Sequence, residues 1–137
     1  MVGKLFIVLL SCYGVCEAWM KPVQWAHTLS CRASSQAPPP SGDQVELDET
    51  FMRLALRHAQ HAFREKEVPI GAIIVEDSSG LVLATSRNRV EATQDPTTHA
   101  EMNCIRAASA VRKNWRLNGC TLYTTLEPCP MCMGSAM

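Results

Sequence analysis

Apolar residues recur at helical spacing in the segment that runs from Asp48 to just before Pro69. This spacing predicts an amphipathic helix that has Asp48 as its N-cap and ends ahead of the proline. The apolar positions are Phe51, Leu54, Ala55, Ala59, Ala62 and Phe63. His58 and His61 lie one turn apart on this helix and are compatible with a two-His metal site. Because no carboxylate or thiol joins them in a recognisable pattern, we interpret them as part of a solvated face.

Two short apolar runs rich in β-branched residues follow this helix, Ile70–Glu76 and Leu81–Ser86. Four polar or small residues, Asp77–Gly80, separate them, and this pattern predicts a β-hairpin. The next stretch, Asn88–Thr97, is polar and is predicted to be a loop.

The remaining segment alternates between the two kinds of element. We predict a helix over about His99–Lys113, capped by Thr98, then a third strand over Cys120–Leu126 and a further helix opening at Pro130. A strand pair, helix, strand and helix in this order indicate an α/β layered fold. If the second and third strands are parallel, the crossover between them should be right-handed.

The first 45 residues have a different composition. Residues 1–18 resemble a secretory signal, with Lys4 ahead of the apolar run Leu5–Leu10 and small residues, Cys16 and Ala18, at a cleavage position. The apolar run is too short to span a membrane. An arbitrary hydrophobic start from a wrongly assigned exon is the open alternative.

Residues 19–42 contain no acidic residue and include Lys21, Arg32 and the run Pro38–Pro40. This composition resembles a transit peptide, and a signal followed by such a tract resembles the bipartite presequences of algae with complex plastids. It also fits a disordered linker. We therefore predict a transit-like or disordered segment over 19–45, a folded domain over 46–137, and removal of about the first 42 residues. The predicted location is the plastid, with secretion as the alternative and no membrane association of the mature form.

The overall composition limits the classes of protein to which the chain can belong. With 137 residues there is room for one domain, and 13 basic against 13 acidic residues leave no global field that would attract nucleic acid. Three of the seven cysteines precede residue 32 in the targeting-like region, and the remaining four are too few and too unevenly spaced for a disulfide scaffold. We expect Cys104 and Cys120 to be small core residues.

Two motifs, Thr98–Glu101 and Leu126–Cys132, carry the candidate chemistry. A catalytic zinc site takes three protein ligands and leaves the fourth position to water, and His99, Cys129 and Cys132 supply those three. Glu101 is then left over as a proton carrier. Positions i and i+2 diverge within a helix, so the metal must sit at the helix start, where the N-terminal partial charge favours thiolates. The combined pattern is the signature of zinc nucleobase deaminases.

The two motifs also allow three other interpretations. A redox pair at Cys129 and Cys132 would leave His99 and Glu101 unexplained. A structural zinc site needs a fourth ligand, for which Cys120, inside a predicted strand, is the nearby candidate. A non-catalytic zinc module that binds RNA or a partner subunit has no need of Glu101.

From about Leu47 to its end, the chain resembles the bacterial-type tRNA-specific adenosine deaminases. The matching blocks are Glu67–Ala72, Arg87–Arg89, Asp95–Glu101, Asn114–Leu117 and Leu122–Cys132. The resemblance implies a three-layer cytidine-deaminase-like fold, with a central mixed sheet flanked by helices. It also implies a Zn²⁺ cofactor, a homodimer, and hydrolytic deamination of adenosine to inosine at the wobble position of a tRNA anticodon stem-loop. The alternative is a deaminase of a free base or nucleoside, of the guanine or cytosine type.

The resemblance also implies substrate-binding residues. Asn88 matches the residue that contacts the base, although an Asn after a strand is often only a turn residue. The other matches are Ile70, Gly71 and Ala72 in the pocket wall, and Asp95, Pro96 and Thr97 at the entrance.

The last helix, opening at Pro130, has at most about two turns before Met137, and isolated helices that short are unstable. Members of the resembling family continue with further strands and helices. We therefore expect an incomplete C-terminal part and a three-stranded sheet with one edge uncovered. A truncated product of this kind is expected to be poorly folded or inactive when it is expressed with this sequence.

Overall fold

One mixed β-sheet with a helix on each face forms the frame of the molecule. A computed structural model describes residues 6–8 and 42–137. The strands are β1 (Phe6–Val8), β2 (Gly71–Glu76), β3 (Val82–Arg87) and β4 (Cys120–Thr124). The helices are α1 (Gly42–Arg64), α2 (Val90–Thr93), α3 (Ala100–Arg112) and α4 (Pro130–Ala136).

The sheet has the strand order β1-β4-β2-β3. β2 lies between two antiparallel neighbours, with Gly71 opposite Arg87 on β3 and Ala72 opposite Thr124 on β4. β1 pairs parallel with β4. The predicted hairpin and the mixed sheet are therefore confirmed.

Alternation along β2 divides the core into two halves. Ala72 and Ile74 face α3, where they pack with buried Cys104. Ile73 and Val75 face the other way and pack with Met52 and Ala55 of α1, together with Tyr123 of β4. Because side chains alternate between the faces of a strand, this split requires a helix layer on each side. The predicted three-layer α/β architecture is confirmed.

α1 approaches β2 closely at Gly71. A Cβ placed on Gly71 would meet the backbone carbonyl oxygen of Ala55 at 2.1 Å and the backbone nitrogen of Ala59 at 2.6 Å. Only glycine leaves room for this approach, since neither obstacle is a movable side chain. The position therefore fixes how closely the α1 layer packs on the sheet.

Several predicted boundaries were wrong. α1 begins at Gly42, six residues before the expected cap, and Asp48 instead accepts a hydrogen bond from the Tyr123 hydroxyl at 2.6 Å. His99, not Thr98, is the N-cap of α3. Phe63 is exposed although its spacing suggested a core position. The predicted loop contains the short helix α2.

β2, β3 and β4 form the expected three-stranded sheet, but its β4 edge is not uncovered in the full chain, because β1 pairs with the free side of β4. The signal-like segment at 1–18 and the transit-like segment at 19–45 lie outside the described residues, apart from 6–8 and 42–45. Within the described part of the chain, no helix is long and apolar enough to cross a membrane.

Candidate metal centre and active site

Three side chains converge where the starts of α3 and α4 meet. His99 is the N-cap of α3 and Cys129 is the N-cap of α4, while Cys132 lies in the first turn of α4. The Nδ1 atom of His99 is 3.6 Å from each of the two sulfur atoms, and the sulfur atoms are 3.7 Å apart. The two helix starts therefore bring the three predicted ligands together.

The size of this triangle fits zinc. Tetrahedral zinc has Zn–S bonds of about 2.3 Å and Zn–N bonds of about 2.0–2.1 Å, which places ligand atoms roughly 3.5–3.8 Å apart. All three measured separations fall in that interval. Among the residues that the structure describes, this is the group of histidine, cysteine and acidic side chains that could hold a metal ion. His58 and His61 do not belong to it. His61 is exposed, whereas His58 is half-buried near Gly71, so the solvated face predicted for both holds only for His61.

The two thiols differ electrostatically. The backbone N–H of Cys132 lowers the pKa of the Cys129 thiol. Burial, followed by the charge of Glu101, raises the pKa of the Cys132 thiol to about 12. The expectation that both helix starts favour the thiolate thus holds for Cys129 and fails for Cys132. A metal ion at the triangle would supply the positive charge that a second thiolate needs.

Glu101 occupies the first turn of α3 and is only 3% exposed. Its Oε2 is the one fully buried side-chain oxygen or nitrogen in the described residues without a hydrogen-bond partner. Its charge acts on the pKa of both Cys129 and Cys132, so the carboxylate lies beside the triangle. Buried polar atoms are normally paired, and an open acceptor at this place fits a proton-bearing partner such as water.

Asn88 follows the last residue of β3 and is 3% exposed. Its backbone N–H donates to the Ile70 carbonyl at 3.0 Å, and the next residue, Arg89, donates to the Thr98 carbonyl at 3.1 Å. Asn88 therefore lies between the start of β2 and the residue that precedes His99. Its side-chain Nδ2 donates to Glu67 Oε2 at 3.0 Å.

The other residues matched to the substrate pocket have mixed surroundings. Ala72 is fully buried and Ile70 packs partly buried against the same core cluster. Gly71 exchanges two hydrogen bonds of 3.1 Å with Thr125, which ties the start of β2 to the segment before Cys129.

The loop before His99 is built around one carboxylate. Asp95 Oδ1 accepts from the backbone N–H of Thr97 at 2.8 Å and from its hydroxyl at 2.7 Å, and these bonds hold the Asp95 pKa below its usual value. Pro96 is exposed between them. The loop thus has a fixed shape next to the triangle.

Sequence reasoning missed Glu67 and a cleft that Thr98, the residue before His99, helps to line. The cleft has a volume of about 430 Å³ and is lined by Ser86, Arg89, Thr93, Thr98, Asn103, Arg106 and Ala107. Two guanidinium groups in a cleft favour a phosphate-bearing ligand. Spacing could not reveal the cleft, because its residues come from β3, α2, α3 and the connecting loops. Glu67 belongs to the matching block Glu67–Ala72, but no role was predicted for it. The signal that could have revealed it is a charged residue shortly before a buried strand.

The chain belongs to the family described as the cytidine and deoxycytidylate deaminase zinc-binding region, which matches residues 45–137. Zinc is therefore its cofactor, and His99, Cys129 and Cys132 could form the metal site. The fold expected from the resemblance is the fold observed.

Comparison with individual relatives gives more specific similarities than the family match. The chain is similar to the chloroplastic tRNA(adenine(34)) deaminase of Arabidopsis thaliana, with 50% identity over 91 residues, 66% of this chain and 7% of that protein. It is similar to the tRNA-specific adenosine deaminase of Aquifex aeolicus, with 49% identity over 84 residues, 61% of this chain and 54% of that protein. The chain thus spans about half the length of this bacterial relative.

Two solved structures are similar in fold. One comes from a study of A-to-I editing by tRNA:A34 deaminases, with a TM-score of 0.58, 48% identity, and coverage of 61% of this chain and 63% of that one. The other is a guanine deaminase from Bacillus subtilis, with a TM-score of 0.60, 41% identity, and coverage of 64% and 55%.

Proposed function

We propose that this protein is a zinc-dependent hydrolytic deaminase that converts adenosine to inosine at the wobble position of a tRNA anticodon. His99, Cys129 and Cys132 hold the metal, and Glu101 is the catalytic proton carrier. The observation that carries the proposal is the zinc-sized triangle of ligand atoms with a buried, unpartnered carboxylate oxygen beside it.

When bound, zinc supplies a Lewis acid that lowers the pKa of a coordinated water to about 7. Glu101 accepts a proton from the attacking water and delivers it to N1 of the adenine. A C6–O bond forms, Glu101 takes the proton of the new C6 hydroxyl and transfers it to the departing amine, and the C6–N6 bond breaks as the C6 carbonyl forms. Adenosine and water thereby give inosine and ammonia.

Two observations and one physical argument support an anticodon loop as the substrate. Relatives at 49–50% identity carry the names of tRNA adenosine deaminases. A single-stranded loop can turn an adenine into a pocket without opening a duplex. The cleft beside His99 presents Arg89 and Arg106, which suit the phosphates flanking the target nucleotide.

Asn88 contacts the target base in this proposal. Ile70, Gly71 and Ala72 form the pocket wall, and the loop Asp95–Thr97 shapes the entrance. The hydrogen bonds that link Asn88 to Ile70, and Arg89 to Thr98, support this placement because they gather these segments around the start of α3.

Deamination of a free purine base is the second candidate function. It is favoured by the 41% identity to the Bacillus subtilis guanine deaminase structure. Ammonia release measured on an anticodon stem-loop, free guanine, adenosine and cytidine separates the candidates. We expect turnover of the stem-loop alone. Turnover of free guanine with an inert stem-loop would contradict the tRNA proposal.

We also propose that the mature protein starts near Asp43, is a homodimer and works in a plastid. The start of α1 at Gly42 supports the boundary, because cleavage there leaves nearly all of the helix intact. Cleavage also removes β1, so the mature sheet has three strands and a free β4 edge. The chloroplastic relative supports the location. A fluorescent protein fused to residues 1–45 should enter the plastid. Retention in the cytosol would contradict this location, and export to the medium would support secretion instead. Light scattering of the mature protein tests the dimer.

A further inference from the structure

The buried carboxylate of Glu67, which has no role in the proposed reaction, holds a second polar cluster that includes Asn88. Glu67 is 4% exposed. Its Oε2 accepts hydrogen bonds from Asn88 Nδ2 at 3.0 Å and from the backbone N–H of Glu91 at 3.2 Å. Its Oε1 accepts from the backbone N–H of Ala92 at 2.8 Å. One carboxylate therefore links the end of β3 to the start of α2.

The hydrogen bond to Glu67 determines the orientation of the Asn88 side-chain amide. An ionised carboxylate can only accept hydrogen bonds, so the NH₂ group of the amide must face Glu67 and the carbonyl oxygen must face away. The reversed amide would bring two oxygen atoms together. The chemistry of the partner thus determines the orientation.

The Oδ1 of Asn88 is left available. It accepts no hydrogen bond from any of the described residues. Glu101 Oε2 is the fully buried unpartnered oxygen in that part of the chain, so Asn88 Oδ1 keeps some access to solvent. The backbone bonds from Asn88 to Ile70 and from Arg89 to Thr98 tie the backbone at these two positions to the segment just before α3.

We propose that Glu67 is a positioning residue that orients Asn88 so that a hydrogen-bond acceptor, Oδ1, faces the substrate. The inference rests on the proposed function, in which Asn88 contacts the nucleotide. An acceptor held in this way selects a substrate group that donates, such as an amine or hydroxyl of the target nucleoside. A free amide could rotate and offer a donor instead, which would weaken the selection.

An exchange of the two side-chain types tests the proposal in the full chain. Asn88→Asp keeps an oxygen toward the substrate but places a second carboxylate against Glu67, and buried like charges repel. Adding Glu67→Gln returns a donor–acceptor pair between positions 67 and 88. We expect Asn88→Asp to lower kcat/KM for the stem-loop strongly, mainly through KM, and the double variant to recover at least about tenfold. A double variant no better than Asn88→Asp would overturn the proposal.

Glu65→Gln is the matched control. It makes the same chemical change two residues earlier, at an exposed carboxylate that pairs with Arg87 at 2.7 Å. We expect its kcat/KM to stay within about twofold of the unmodified protein, because exposed ion pairs contribute little. Zinc content should stay unchanged in all of these variants, which separates an effect on Asn88 from damage to the metal site.

A measurement without catalysis separates this inference from the proposed function. In ¹⁵N-labelled protein, the Asn88 side-chain amide is assigned by its loss in Asn88→Asp. Its protons should be shifted downfield and protected from exchange, move in Glu67→Gln, and shift when the stem-loop is added. If the unmodified protein fails to deaminate any substrate, the proposed function fails, and the exchange of residues is read from RNA affinity instead. A freely exchanging Asn88 amide would overturn the positioning role.

Discussion

Glu67 and Glu101 lie in two regions that bury a glutamate almost completely, at 4% and 3% exposure. In the loop between α1 and β2, the Glu67 carboxylate accepts three hydrogen bonds. In the first turn of α3, Glu101 keeps an oxygen that has no partner within the described residues. The two carboxylates are therefore equally buried but differ in hydrogen bonding: both oxygens of Glu67 are bonded, whereas one oxygen of Glu101 is not.

This contrast distinguishes a buried carboxylate with a structural role from one with a catalytic role. A satisfied buried carboxylate holds its neighbours in place, and leaving its donors unpaired costs stability. An unsatisfied one costs stability itself and persists where a reacting group needs it. The position of Glu101 beside three ligand atoms agrees with the second case.

The largest loss of activity is expected from substitution of a candidate zinc ligand beside Glu101. Cys132→Ala should weaken zinc binding by well over about 100-fold, because even partners outside the ligand shell contribute 10–100-fold. Deamination should fall to background. Cys104→Ala is the control, since Cys104 is equally buried but binds backbone carbonyls of β2 and β3 instead of the ligand triangle. Metal analysis of both purified variants checks the prediction, and a zinc-loaded Cys132→Ala protein would contradict it.

The same substitution at the two buried glutamates should change stability in different ways. An amide at position 67 offers one oxygen to three N–H donors, so Glu67→Gln should lower the unfolding free energy by about 1–3 kcal/mol. Glu101→Gln replaces a carboxylate whose Oε2 has no hydrogen-bond partner in the described residues, and it should leave the stability of the metal-free protein unchanged or higher. Denaturant unfolding of the metal-free variants measures both. Equal losses at the two positions would mean that the contrast has no energetic basis.

Most of the secondary structure could be predicted because its hydrophobic period is local. The hairpin and α3 are of this kind. The first turns of α1 were missed because they carry exposed Val45 and Leu47 among polar residues, without a clear apolar face. α2 was missed because the Glu67 carboxylate binds its first N–H groups from more than 20 residues away.

The metal site could be predicted because each ligand belongs to a short motif with its own spacing. The Glu67–Asn88 pair could not, since no rule of spacing joins positions 21 residues apart. The pairing of β1 with β4 was equally inaccessible, because the local pattern around residues 6–8 is that of a signal segment.

A smaller effect concerns the pH dependence of the two site cysteines. In the metal-free protein, the lowered pKa of Cys129 gives a larger thiolate fraction at neutral pH, whereas Cys132, with a pKa raised to about 12, stays a thiol. Since the thiolate is the nucleophile, alkylation of Cys129 should begin at a lower pH than alkylation of Cys132. Peptide mapping after timed iodoacetamide treatment between pH 6 and 9 measures this, and preferential labelling of Cys132 would contradict it.

The most direct test is metal content and single-turnover deamination measured on one preparation of Glu101→Gln. The account predicts about one zinc per chain and a rate lower by roughly 10²–10⁴-fold, the usual contribution of one acid–base group. A zinc-free variant would mean that Glu101 is a ligand. A zinc-loaded variant with an unchanged rate would mean that the open oxygen has no part in the reaction.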